Sequence, residues 1–559
     1  MRWSTRDQFT SLWLIMHGAF STRRSINSNL LAIGQIISAL LLYVGSQYGI
    51  FPLYFVAGIM LSTLLIIAVG YCSRNSLSFF AVVFSFFVFR YLPILKFSQP
   101  LFDDPWSDLR TATFFADAGR FFEIPQMPNH ALTEYSRWPP LHLLSITISR
   151  VLGTTLFDVF TYFGPLLAFP SLLFIYLLAR QLFSDAKKAA LSALVISVFA
   201  ITVFWQIQVV RQNLAISMFC GGIYAYVKSR QSKTLSPLLA SLLFFSILPF
   251  VHHLTSLAAL ATLIFAFIVE RAYWRDKVSS AFVLYVASIT VWVWVAFQGD
   301  FIISPLFYRA LALIYGPRGG DLQFIQSRML LHFDLYDLLN ILRILCLALV
   351  AVLGLFHIVK RKPRFGGIVA ALFVTNAVPL CLALFYRVID QRFALLLTLP
   401  TAVLAGYMRP GRRLVLALLL VLLVIPAPFK LYETFDAAPT YVFDSSAGIN
   451  YGYGEFSKYR TDGAIALAQW SGKNNNMPVA TDGYDIQVLQ QYYNPALIYY
   501  LELYRIEDGT VIIFNRYYVA GRYGDEFLTG LRPIISRAAF VYNDGTQVVY
   551  YVVPEVSTP

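Results

Sequence analysis

Long apolar runs separated by short polar connectors fill most of the chain, and their length is the first thing the pattern dictates. A helix crosses a bilayer with about 17 to 25 predominantly apolar residues. Cut at the polar connectors, the sequence predicts about thirteen such helices, at about 29–47, 51–71, 78–97, 158–180, 186–204, 212–227, 235–251, 254–270, 279–298, 338–358, 367–386, 393–407 and 414–430. One interruption is far longer than the others: residues 98–137 are polar and crowded with acidic, basic and aromatic side chains around "FDDPWSDLR".

Within that interruption, Asp104 precedes Pro105 and the stretch "WSDLRTATFFADAG". Proline suits a first helical turn and aspartate the cap before it, so a helix closed by Gly119 is expected. Its Trp106, Leu109, Phe114 and Phe115, beside Arg110 and Asp117, predict a helix lying along the membrane surface. In "EYSRWPPLHLL", Pro139 and Pro140 stop any preceding helix, and the apolar stretch that runs on to Gly153 is short for a span. A juxtamembrane or re-entrant segment that folds Arg137 and Trp138 back toward Asp104 fits better, and the outer loop is taken as 98–157.

After about residue 430 the apolar runs shorten and alternate. Turn signals at Asp462-Gly463, Asp482-Gly483, Asp508-Gly509 and Asp544-Gly545 separate β-rich runs such as "VIIFN", "AAFVYN" and "QVVYYVV", with a helix-like "GAIALAQW" ahead of "MPVATD". The expected organisation is a transmembrane domain over 1–430 and an extracytoplasmic mixed α/β domain over 431–559.

Composition agrees with a polytopic α-helical membrane protein. Hydrophobic residues make up 58% of the chain and charged residues 13%, and the mean hydropathy is +0.63, too apolar for a soluble domain. Charge adds an orientation. Arg23 and Arg24, then Lys187 and Lys188, Lys228 and Arg230, Arg271 and Arg275, Lys360 and Arg361, and Arg412 and Arg413 fall on alternate connectors, which the positive-inside rule assigns to the cytoplasm together with the N-terminus. The net charge of +13 is thus topological and calls for no nucleic acid. The first 25 or so residues lack the apolar core and cleavage site of a signal peptide. Cys72, Cys220, Cys346 and Cys381 have no metal-ligand spacing and read as packing residues.

By the same parity the 98–157 loop, the turns at Arg211, His252-His253 and Arg387 to Arg392, and the C-terminal domain share the outer face. Bare carboxylates beside hydrocarbon are expensive, so Asp103, Asp104 and Asp108 are candidates for chemistry. Helix capping accounts for one of them and not for three. A positioned carboxylate can serve as a general base, for which Asp104 is the candidate, and outer arginines can hold a phosphate through paired donors, for which Arg137, Arg211, Arg387 and Arg392 are candidates. Each arginine has the plain alternative of reaching to lipid headgroups. His252 and His253, and Glu134 in the 98–157 loop, are further polar candidates, and His253 with Asp104 is a candidate metal pair. An interfacial histidine satisfied by backbone is the competing reading.

The acidic pair following a membrane helix, the Gly about fifteen residues later, and a basic residue ahead of "PPL" resemble the first outer loop of GT-C glycosyltransferases. The protein mannosyltransferase-like and aminoarabinose transferase-like branches are the most similar, and "DDPWSDLRTAT" is also similar to the "DPW" loop of oligosaccharyltransferase catalytic subunits. The likeness covers the spans from 78 to 204 well and the rest through architecture. It implies a sugar donor carried on polyprenyl or dolichyl phosphate, transfer to a protein, lipid or glycan on the extracytoplasmic face, and a first-loop aspartate, here Asp104, acting as base or orienting the acceptor, sometimes with a divalent metal such as Mg or Mn. Two departures stand out. The second acidic residue is shifted to Asp103 or Asp108, and Trp138 stands where related enzymes have the lysine of "KPP", with Arg137 one place earlier. The exterior domain also lacks "WWDYG", which argues against an oligosaccharyltransferase proper.

The expected function is therefore a polyprenyl-phosphate-dependent glycosyltransferase of the cell membrane. A multispan transporter or lipid-linked sugar flippase is the rival, which predicts ionisable residues near span centres, where only Arg90 and Arg343 stand out. A non-catalytic assembly subunit is a third reading.

Overall fold

A computed structural model describes residues 28–48, scattered positions from 53 to 68, 75–97, 99–101, 103–119, 138–272, 279–295, 349–361, 363, 365–385, 391–407, 469 and the strands of a C-terminal sheet. Its helices are α1 (Ser28–Tyr48), α2 (Asn75–Phe97), α3 (Asp103–Ala118), α4 (Pro139–Leu152), α5 (Leu156–Tyr162), α6 (Gly164–Phe183), α7 (Ala186–Val198), α8 (Ala200–Gln206), α9 (Arg211–Ser232), α10 (Leu235–Val251), α11 (His253–Ala272), α12 (Gly366–Phe385) and α13 (Gln391–Gly406). Residues 280–295 and 349–361 are also helical.

Among the described residues, Leu77–Leu95, Gly164–Phe183 and His253–Ala272 are each long and apolar enough to cross a bilayer, and the bent pair α4 and α5 makes a fourth if counted as one span. Five shorter apolar helices accompany them. The protein is a helical membrane protein. The thirteen-span count is carried by the sequence, and 414–430 lies outside the described residues.

The helix α7 sits at the centre, packed against α2, α6 and α13. Its sequence AKKAALSALVISV offers small Ala and Ser side chains all round, which lets neighbouring backbones approach closely. Asp185 caps it, accepting from the Lys187 and Lys188 N–H groups. Close approach recurs between α9 and α10, where a Cβ on Gly222 would lie 2.8 Å from the Phe245 ring.

Three expectations are corrected. The predicted span 158–180 is divided: α5 is a separate short helix, started by a Thr155/Asp158 capping box, and α6 begins only at Gly164. The predicted span 186–204 is broken at Phe199, where α7 ends and α8 begins. The helix α3 has its apolar residues covered by protein. Gly119 closes it in the left-handed region, φ 63°, as expected, but Trp106, Leu109 and Phe115 are buried in a protein cluster with Leu141, Ile146 and Phe160. Asp104 is already inside the helix, which starts at Asp103, and so is not the cap.

The helix α4 opens on its two prolines and closes on Gly153, φ 65°, before a 110° bend into α5. Beyond the helices, a mixed five-stranded sheet has the order β2-β1-β3-β5-β4, formed by β1 (Val479–Thr481), β2 (Ile498–Tyr500), β3 (Val511–Asn515), β4 (Ala538–Asn543) and β5 (Gln547–Val552). β1 is parallel to β2 and β3, while β5 is antiparallel to β3 and β4. Val479 and Val511, the first residues of β1 and β3, are buried in the same cluster as Trp106 and Leu141, so the sheet is seated on α3 and α4.

Candidate functional site

Helix periodicity places Asp104 and Asp108 one turn apart on one face of α3. They meet different surroundings. Asp104 is half-buried, whereas the Asp108 side chain is fully enclosed. A buried carboxylate needs donors, and two converge on a single oxygen. His142 Nε2, from the first turns of α4, lies 2.9 Å from Asp108 Oδ1. Arg211 Nε, from the first residue of α9, lies 3.2 Å from the same atom. Asp108 Oδ2 and His142 Nδ1 are buried without a hydrogen-bond partner among the described residues. Phe115 meets the His142 ring edge to face at 5.6 Å.

Arg211 is held from a second side. Its guanidinium carbon lies 4.8 Å from the centroid of the Trp138 ring, a cation–π separation. The Trp138 ring in turn lies against His253 at 5.1 Å, and His253 against His252 at 5.0 Å, each pair tilted by 35°. The residue standing in place of the lysine of "KPP" is therefore a plate on which an arginine from another helix rests. His252 caps α11: its Nδ1 accepts from the Thr255 N–H at 3.3 Å and lies 2.9 Å from Thr255 Oγ1, so the backbone-satisfied reading describes it. Arg110, on the covered side of α3, is pushed down to about 9 by burial.

The structure thus brings Asp108, Arg211, His252 and His253 into one connected group, with Asp104 a turn away on α3. The side chain of Asp103 lies outside the described residues, as do Glu134, Arg137, Arg387 and the Arg392 side chain. Among the described residues no three His, Cys, Asp or Glu side chains are grouped to hold a metal.

Two participants were missed. His142 was legible as the single polar aromatic residue opening an apolar stretch behind two prolines, but its partner is 34 residues away. Arg90, left unexplained by sequence, is fully buried in α2 and directs all its nitrogens at a helix break. It donates to Ser197 O at 2.9 Å, Ile196 O at 3.1 Å, Phe86 O at 3.0 Å and Gln206 Oε1 at 2.9 Å. The carbonyls of Ile196 and Ser197 lose their helical partners because α7 stops at Val198. Gln206, which ends α8, leads through 207–210 to Arg211, and Asn213 Nδ2 ties that turn by donating to Trp205 O and Gln208 O, both at 2.7 Å.

No family model and no curated protein matches the chain. Among solved structures it is similar to the Archaeoglobus fulgidus oligosaccharyltransferase in complex with Zn and sulfate, with a TM-score of 0.49 and 12% identity, covering 86% of this chain and 74% of that one. It is also similar to ArnT from Cupriavidus metallidurans bound to undecaprenyl phosphate, with a TM-score of 0.42 and 12% identity, covering 86% of this chain and 98% of that one. These are likenesses of general architecture.

Proposed function

We propose that this membrane protein transfers a sugar from a polyprenyl or dolichyl phosphate carrier to a protein, lipid or glycan acceptor on the extracytoplasmic face. The observation that carries the reading is the placement of Arg211, fixed by Asp108 and Trp138, one helical turn of α3 from the more open Asp104.

In the reaction the acceptor oxygen attacks the anomeric carbon, the bond from that carbon to the phosphate oxygen breaks, and the carrier phosphate leaves with the electron pair. Asp104 takes the acceptor proton. Arg211, at the N-terminus of a 22-residue helix with no side-chain cap, faces the charge that develops on the leaving phosphate. Asp108 and Asp103 support the same helix turn, and Arg137, Arg387 and Arg392 are the remaining phosphate contacts. His252 and His253 back the Trp138 plate. The C-terminal sheet, seated on α3 and α4, covers the site or presents the acceptor.

The transporter reading draws no support from Arg90: a charge inside a span would mark a transport path, but this one is consumed by hydrogen bonds to a broken helix.

The test is release of polyprenyl phosphate from a panel of undecaprenyl- and dolichyl-phosphate hexoses by the purified protein in the presence of envelope lipid or glycan acceptors. Release that depends on Asp104 supports the reading. No release with any donor, or transport of an unmodified solute across proteoliposomes, overturns it.

A further inference from the structure

We propose that His142 is a positioning residue for Arg211, acting through Asp108. The inference rests on the reading of Arg211 as the phosphate contact and adds a residue that no part of that reading assigned.

The chemistry of the three side chains permits one arrangement. An aspartate carboxylate accepts and a guanidinium donates. His142 Nε2 faces the Asp108 oxygen at 2.9 Å, so it carries the hydrogen. His142 Nδ1 is buried with no acceptor among the described residues, so a second ring proton would be stranded there. The imidazole is thereby confined to the neutral tautomer with hydrogen on Nε2. That tautomer pins Asp108 Oδ1 from the α4 side, and Oδ1 in turn pins Arg211 Nε at 3.2 Å.

With Nε committed to Asp108 and one face against Trp138, the guanidinium loses its freedom to swing about the last side-chain bonds. Preorganisation of this kind removes an entropy cost from binding. His142 and Asp108 are both fully enclosed and Arg211 is 13% exposed, so the exposed end of the chain of contacts is the arginine. His142 touches no substrate in this arrangement. Its effect reaches the ligand through two hydrogen bonds.

The experiment uses the full-length protein in detergent micelles with undecaprenyl phosphate as probe, its affinity read by native mass spectrometry and titration. Two variants separate position from polarity. His142→Gln places an amide N–H where Nε2 was; His142→Asn places its amide one bond short of Asp108. The expected result is about a tenfold loss of affinity in His142→Asn, in line with a lost hydrogen bond to a charged group, near-wild-type affinity in His142→Gln, and no further loss when His142→Asn is added to Arg211→Ala.

If His142→Asn binds as tightly as wild type while Arg211→Ala does not, the positioning role is overturned and the phosphate contact stands. If His142→Asn weakens binding by the same factor with Arg211 already removed, His142 acts through general packing and the proposal is again overturned. If Arg211→Ala binds like wild type, the phosphate reading fails and the positioning role falls with it. Should His142→Asn lose its melting transition, Asp108→Asn carries the same cycle with the same expected non-additivity.

Discussion

Arg90 and Gln206, 116 residues apart, meet at 2.9 Å inside the membrane-spanning bundle and hold the end of α8 against the break that follows α7. Among the described residues no carboxylate pairs with this buried cation. Its charge is met by the Ile196 and Ser197 carbonyls at the C-terminus of α7, by the Phe86 carbonyl and ring, and by the Gln206 amide oxygen.

Replacing Arg90 by Leu strands the Ser197 carbonyl and the Gln206 amide oxygen in an apolar interior and leaves the Ile196 carbonyl with the Thr202 hydroxyl. A loss of about 3 kcal/mol is expected, read as a fall in the thermal midpoint of the detergent-solubilised protein. Arg90→Lys recovers only part, because one ammonium cannot reach acceptors on both sides of the break.

Gly164 and Gly153 should respond differently to alanine. A Cβ on Gly164 would lie 2.5 Å from the Ile207 carbonyl oxygen, on the turn that delivers Arg211. Gly164→Ala is expected to cost about 1 to 3 kcal/mol by overpacking and to weaken undecaprenyl phosphate binding as well. Gly153 has open space but φ 65°, so Gly153→Ala costs about 1 kcal/mol in backbone strain and leaves binding unchanged. Parallel melting and binding curves check both halves.

Removal of the plate under Arg211 tests its contribution directly. Trp138→Ala should reduce affinity for undecaprenyl phosphate by about 3- to 30-fold, the range of a partly desolvated cation–π contact. Trp138→Phe, which keeps a ring face, should lie between the two. Equal affinity in all three proteins would remove Trp138 from the site.

Asp104→Asn separates chemistry from binding. Turnover should drop by about 10² to 10⁴, the usual contribution of a positioned general base, while binding of undecaprenyl phosphate stays near wild type. Single-turnover assays beside the binding titration check the split.

The distribution of what was legible follows from range. Span positions such as those of α1, α2, α10 and α11 were readable because hydropathy is local, and the stop at Gly119 because a left-handed closing residue is local too. The break at Phe199 was not, since "ALVISVFAITVFW" is apolar throughout and contains no Pro or Gly; a tertiary partner, Arg90, is what stabilises it. Within the site, sequence pointed to Asp104, Asp108, Arg211 and the histidine pair through residue type and topology. It could not say that Asp108 would be enclosed and Asp104 half-open, because both sit in the same motif and only the packing of α4 and α9 distinguishes them.

Val479 and Val511 complete the apolar cluster around Trp106 and Leu141, so the C-terminal sheet and the helices α3 and α4 share one core. A shortened protein ending after its last hydrophobic span would leave that cluster facing water, and would be sticky where the intact protein is sealed.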